Sequence, residues 1–389
     1  PQVVMIDVRG ATPDGSVSAV QATLAEPFSM ETGPLARAVL ATVDERAWLF
    51  GVVMHHAIAD GWSADVLVHD LEAAYARQAE RRTVSQAQQP IRYADYAVWQ
   101  RAYLHGIALE ELTAYWSRAL DGAPPVLELP LDHPRPPRQS YEGAVVRITI
   151  DAALRARVET FAKQHHATVY MVLMSAYAAL LGQWSGQTDV VVGTAVANRE
   201  ADTEGLIGFF VNTLPIRLQL RGADPIGELV NQAREVTLSA LDHQRLPFEQ
   251  LVDLIVRERN AAVPPIVQAM FTYQQARAGV LTLPEVSARQ IELPHSTSKF
   301  DVTLAVDDHN DYLEVVLEYR SDLFEAATMV GVAERLVHGL DVMVEDSQRP
   351  LDALSFVTNT DAACLSRWNA TDHDYQESRL IHQLFEQQA

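Results

Sequence analysis

Residues 52–63 read VVMHHAIADGWS. An apolar run ends in two histidines, Asp60 stands four residues beyond His56, and Gly61, Trp62 and Ser63 follow. The run begins at Trp48 and reads as a strand, along which successive side chains point to opposite faces. His55 and His56 therefore diverge at its end and make a poor metal pair. One of them can be buried while the other faces a cleft. A histidine acting as a general base needs one exposed ring nitrogen and a partner that holds its tautomer. Asp60 can shape the turn if it finds a basic partner. Gly61 permits a tight turn or a close backbone approach, so a loop rather than a helix is expected there. A lone histidine is more often a satisfied polar group than a catalyst, so the weight rests on the whole pattern.

Outward from this stretch, residues 34–43 read as a strand joined to 48–54 by a turn at Asp44 to Arg46. Val3 to Ile6 reads as another strand with no cap before it, which suggests a chain entered inside a larger polypeptide. Downstream, Ser63 can cap a helix on which Val66, Leu67, Leu71, Ala74 and Tyr75 recur at helical spacing. A polar segment, 81–90, precedes an aromatic helix over 93–116. Residues 121–143 hold six prolines and two glycines, an extended connector because proline fixes φ and removes backbone donors.

Beyond it, helices are expected at 152–165 and 168–184, the second apolar nearly all round and hence buried. Strands follow at 189–196 and 210–220, then a helix at 226–243. Three more strands, at 267–273, 300–306 and 312–320, precede a long helix at 323–343. The last two strands are joined by a polar turn at His309 and Asn310. The polar tail from Asn359 reads as a linker. Strands and helices mix without strict alternation, which predicts an α+β fold in which a two-layer arrangement occurs twice.

The chain has 389 residues, more than one ordinary core supports. It carries 51 acidic and 30 basic residues, a formal charge of −21. That argues against nucleic-acid and anionic-membrane partners, which need basic patches. The plain reading of the charge is solubility. Cys364 is the single cysteine, so no intramolecular disulfide is possible, no zinc-ligand cluster is visible, and a cytoplasmic setting fits. No run approaches the roughly 18 apolar residues of a membrane span.

The 55–61 segment resembles the HHxxxDG motif of nonribosomal peptide synthetase condensation domains. Tyr93 to Trp99 resembles the family's YxDYAVW. Ile207 to Thr213, with Arg217 four beyond, resembles IGxFVNTxxxR. His243 to Glu249 resembles HQDxPFE, with Arg245 where aspartate is usual. Arg257 to Asn260 and Pro265 loosely resemble RDxSRNPL. Ser298 to Asp301 is similar to the start of a strand bridging the two halves. Trp368 to Thr371 and Ile381 to Phe385 are similar to the linker into an adenylation domain. The family's two earliest motifs, SxAQxR and RHExLRT, have no counterpart, so an N-terminally truncated domain is expected. Each motif also has a plainer reading: aromatic core for YADYAVW, a polar-lined strand for FFVNT, a helix end broken by Pro247 for HQRLPFE.

The resemblance implies two chloramphenicol-acetyltransferase-like subdomains in a V-shaped pseudo-dimer. An incomplete N-terminal subdomain would span 1–120, the connector 121–143, the C-terminal subdomain 144–355, and a linker toward an adenylation domain 356–389. Two peptidyl carrier domains would present donor and acceptor on phosphopantetheine thioesters, with no cofactor and no metal bound directly. His56 would be catalytic, orienting the acceptor amine or taking its proton, with His55, Asp60, Gly61 and Trp62 in support. The Gly61 N–H is a candidate oxyanion donor, and Ser63 reads as a cap rather than a nucleophile. Arg217 and Arg199 are the candidate partners of Asp60, and Asn212 and Thr213 candidate tunnel lining. The motif forms are most similar to domains that join an L-donor to an L-acceptor. Two other readings stand beside this one: a standalone coenzyme A-dependent acyltransferase, and a catalytically silent platform that docks carriers and tailoring enzymes.

Overall fold

The computed structural model describes residues 2–80, 91–258, 260–275, 281–291, 293, 296–372 and 380–388. The polar stretch 81–90 and Arg259 of the loosely matched motif lie outside them. The first half holds β1 (Gln2–Asp7), α1 (Pro13–Leu24), β2 (Ala36–Thr42), β3 (Trp48–Met54), α2 (Gly61–Ala79), α3 (Tyr93–Tyr103) and α4 (Gly106–Ala119). Its sheet runs β1-β2-β3, parallel then antiparallel. Parallel neighbours need a crossover, and α1 supplies it. The apolar pattern did not predict α1, because its sequence is small and polar. Its start was nonetheless signalled: Thr12 accepts from the Gly15 N–H at 3.1 Å, and proline stands in the first turn.

α1 seats Val20 and Leu24 against Val39, Ala41 and Leu49 on one face of this sheet. The opposite face leaves Val3, Met5, Trp48 and Phe50 about half exposed or more. The expected single aromatic helix is two helices, broken at Leu104 and His105.

The second half holds β4 (Gly143–Ile150), α5 (Ala152–Gln164), α6 (Val169–Ser185), β5 (Asp189–Val196), β6 (Asn212–Gln219), α7 (Ile226–Asp242), α8 (Phe248–Ile255), β7 (Ala269–Gln275), β8 (Val302–Asp308), β9 (Leu313–Arg320) and α9 (Ala326–Met343). The sheet order is β4-β9-β8-β7-β5-β6. β5 and β7 pair parallel, as do β7 and β8, and the other pairings are antiparallel. α6 is the centre of the core. Met171 to Gly182 are all buried, which is why its sequence is apolar all round. Thr168 caps its start and Gly186, in the left-handed region at φ 71°, ends it. Pro247 opens α8 rather than merely ending a helix.

Two features tie the halves together. The large core extends back into α4, where Trp116 is 1 % exposed and donates its indole N–H to the His243 carbonyl at 3.1 Å. The proline-rich connector is extended, as expected, but pinned. Leu127 and Leu129 are buried, the Leu127 N–H meets the Gln268 side chain at 2.8 Å, and Arg135 grips Asp301 at 2.5 and 2.9 Å.

The described residues of the tail hold two helices. α10 (Asn359–Trp368) carries a Thr358–Asp361 capping box and docks on α9 through Arg335 and Asp361. A further helix, α11 (Ile381–Gln388), follows. Among the described residues no single helix is long and apolar enough to cross a membrane.

Candidate active site

β3 ends at Met54, and residues 55–58 form a turn closed by the Ile58 N–H on the His55 carbonyl at 3.0 Å. Both histidines lie in the turn beyond the strand, meet different aromatic partners, and neither is fully buried. His55 is half-buried, edge-on to Phe28, and its Nδ1 accepts the Ala57 N–H at 3.1 Å. Its own proton therefore sits on Nε2.

His56 is exposed, and its Nδ1 lies 2.7 Å from the Ala59 carbonyl. A carbonyl only accepts, so Nδ1 carries the proton and Nε2 of the neutral ring keeps its lone pair. The two neighbouring rings thus take opposite tautomers. Phe209 meets the His56 ring edge-to-face at 5.0 Å, fixing its tilt from across the halves.

Asp60 finds its basic partner in Arg199 and holds the neighbouring loop, and it also starts a helix. It is the N-cap of α2, and Ser63 is not the cap but the third helical residue, completing a capping box with it. Gly61 is the first residue of α2. Asp60 is 6 % exposed. Its Oδ1 accepts from the Ser63 N–H at 2.8 Å and from Arg199 at 2.8 Å, while its Oδ2 accepts the N–H groups of Phe210 and Val211 at 3.0 and 3.3 Å. The Ser63 hydroxyl lies 2.7 Å from the same Oδ1 and accepts the Gly208 N–H at 3.1 Å. Burial pushes the Asp60 carboxyl up, but the hydrogen bonds from Ser63, Phe210 and Arg199 outweigh it and hold it below the usual carboxylate range. Burial and the Asp60 charge push the nearby Tyr93 hydroxyl up.

Of the two candidate partners, the structure selects Arg199. Its side chain is 2 % exposed, bridges Asp60 to the carbonyls of Thr203 and Leu206 at 2.8 and 2.7 Å, and sets its guanidinium carbon over the Phe210 ring, 4.1 Å from the centroid. Arg217 is corrected: it faces away along β6, pairs with Asp189 at 2.7 Å and reaches the Ala119 and Asp121 carbonyls. Strand alternation puts Arg217 on the connector side, out of Asp60's reach.

Asn212 is buried, and its amide is engaged by the backbone around it, donating to the Gln244 and Leu246 carbonyls at 2.7 and 2.8 Å and accepting from Phe248 and Thr213. It clamps the turn at 244–248. Thr213 is half-buried. Trp62 is exposed and anchors its indole N–H on the Glu204 carbonyl at 2.8 Å.

The sequence reading missed Gly208, Phe210 and Tyr93. Gly208 lies against the Tyr93 ring with no room for a Cβ, and Tyr93 donates to the Phe209 carbonyl at 2.8 Å. A glycine directly before two phenylalanines was the available signal.

The arrangement is a strand–turn–helix histidine site in one half, braced by a buried ion pair and backbone amides from the other. The family model for the condensation domain matches residues 2–366, and the chain belongs to that family. Malpibaldin synthetase of Mortierella alpina is 37 % identical over 376 residues, covering 96 % of this chain and 7 % of that protein. Chondramide synthase of Chondromyces crocatus is 36 % identical over 366 residues, 94 % of this chain and 9 % of its own length. The phosphinothricin tripeptide synthetase PhsC of Streptomyces viridochromogenes is 36 % identical over all of this chain, which spans 36 % of it.

Among solved structures, the X-domain of teicoplanin biosynthesis in complex with OxyB superposes at TM-score 0.84 with 25 % identity, over 92 % of this chain and 80 % of that one. A holo four-domain nonribosomal peptide synthetase bound to AMP and glycine shares the fold at TM-score 0.83 and 24 % identity, over all of this chain and 30 % of that one. The α+β class and the paired subdomains expected from the motifs stand.

Proposed function

We propose that this chain forms an amide bond between a donor acyl or peptidyl thioester and the amine of an acceptor aminoacyl thioester. Both substrates would ride on phosphopantetheine of peptidyl carrier domains, beside an adenylation domain of the same cytoplasmic polypeptide. The observation that carries this reading is the His56 ring. Its Nδ1–H is tied to Ala59, its tilt is set by Phe209, and the ring is exposed with Nε2 free of its own proton.

The amine nitrogen attacks the thioester carbonyl, the new C–N bond forms and the C–S bond breaks. Nε2 of His56 takes a proton from the nitrogen, and the departing carrier thiolate is reprotonated. A thioester is already activated, so much of the acceleration comes from holding two tethered reactants together. The brace of Asp60, Ser63 and Arg199 keeps the turn rigid enough to do that. The motif forms favour an L-donor and an L-acceptor.

A second reading, a silent platform for carriers and tailoring enzymes, draws on the likeness to an X-domain seen with OxyB. One assay separates the two. Donor- and acceptor-loaded carrier proteins are mixed with the parent or with His56→Ala, and the dipeptidyl carrier is detected by intact mass. The parent forms product, and the variant forms about 10²–10⁴-fold less, the usual contribution of a general base. Equal product from both removes His56 from the chemistry. No product from either favours the platform.

A further inference from the structure

We propose that Arg245 is a positioning residue for the candidate active site, acting through Glu200 on the loop that carries Arg199. The turn between α7 and α8 is held from below by Asn212, which grips the carbonyls of Gln244 and Leu246. These two carbonyls flank Arg245, so its backbone has a fixed origin. From there the side chain reaches α3. Its guanidinium carbon lies 5.0 Å from the Tyr103 ring centre and 5.9 Å from that of Trp99, two rings stacked 5.4 Å apart. The same guanidinium pairs with Glu200.

Glu200 directly follows Arg199, and the two sit in one closed unit. The Thr203 N–H bonds the Glu200 carbonyl at 2.8 Å, and Arg199 bonds the carbonyls of Thr203 and Leu206. A displacement of Glu200 therefore moves Arg199, and with it the cation that faces Asp60. Tyr96 completes the circuit, touching Phe210 at 4.7 Å on one side and Trp99 at 5.6 Å on the other. Three elements from both halves, α3, the 243–247 turn and the 197–211 loop, thus meet at one cation beside the Asp60 brace.

An exposed ion pair alone contributes little. This one is also laid against two aromatic faces, which attract a cation and repel an anion. The motif that this turn resembles carries aspartate here. A carboxylate at 245 would face Glu200 with like charge and ring faces of the wrong sign, so Arg245 and Glu200 form a matched pair in this chain.

The kinetic arm of the test rests on the proposed condensation activity, whereas the exchange arm does not. Amide hydrogen exchange is followed in the parent, Arg245→Asp, Arg245→Lys, and the charge swap Glu200→Arg with Arg245→Glu. The Asp variant is expected to lose about tenfold protection in residues 197–211 and 56–63, with β4, β8 and β9 unchanged. The Lys variant should fall in between, because it keeps the charge but not the broad guanidinium over the rings, and the swap should restore protection only in part, because it renews the charge pair but sets a carboxylate against the rings. In the carrier assay kcat should fall about tenfold in the Asp variant, within the usual range of long-range coupling, with KM held within about twofold and kcat recovered in part in the swap. Unchanged exchange in both segments overturns the proposal, as does a swap that restores nothing. Raised exchange with an unaltered kcat overturns the link to catalysis. If the parent itself forms no product, the exchange result still decides whether Arg245 holds the Asp60 brace.

Discussion

At the scale of residues, two adjacent histidines differ because their Nδ1 atoms meet opposite partners, an N–H donor for His55 and a carbonyl for His56. The same economy governs Asp60, whose carboxylate is surrounded by donors. Removing that carboxylate in Asp60→Ala leaves Arg199 buried and unpaired, at a cost of about 3–5 kcal/mol. Urea titration at neutral pH reads that loss as a lower midpoint. The carboxyl is held low in the folded state, so its stabilising contribution is complete above the unfolded value, near 4, and is lost as pH falls through the lower folded value. Melting of the parent below pH 4 should therefore steepen with acid. Asp60→Asn should be less stable at neutral pH and flatter below pH 4. Parallel pH curves for the two proteins would show that another group governs acid unfolding.

At the scale of elements, the site is made by one helix start and one tight passage. α2 begins at Gly61 because Asp60 and Ser63 satisfy its first amides reciprocally, a local device worth about 0.5–2 kcal/mol. The passage is 207–211, threaded between α3 and the Asp60 brace. Gly208 gives way to the Tyr93 ring there, so Gly208→Ala forces α3 outward. We expect overpacking to cost about 1–3 kcal/mol, and the Tyr93 ring resonances to shift in the NMR spectrum of the variant. A variant with parent-like stability and resonances would mean that α3 is free to move.

At the scale of the whole molecule, the two cores are unequal. The six-stranded sheet, α6 and α4 share one large apolar cluster, whereas among the described residues the cluster between the three-stranded sheet and α1 has Val8, Val20, Val39 and Ala41 as its buried members. Backbone amides of β1 to β3 should exchange faster than those of β5 to β9, since local opening follows buried contact. The halves are nonetheless bolted together at Trp116. Trp116→Ala removes a buried indole and its bond to His243, at a cost of about 3–5 kcal/mol. Chemical denaturation of the variant measures it. A change below 1 kcal/mol would mean that α4 docks without that anchor.

Most of the elements were legible in the chain itself, because apolar period follows burial: α6 reads apolar all round and β6 alternates around Arg217. The family was legible too, through ordered motifs. Several elements were underread: α1, whose few core contacts leave almost no periodic trace, the short α8 that follows Pro247, and the two helices of the tail. The partners emerged only from the packed molecule. Arg199 and Arg217 are equally plausible bases in the chain, yet one lies 139 residues from Asp60 and touches it while the other turns to Asp189. The bonds of Asn212 to the 244–248 turn and the meeting of Arg245 with Glu200 and Trp99 emerged in the same way. Local pattern reports which face of an element is buried. It carries no record of which distant side chain fills the space beside it, and that choice is made when the two halves pack.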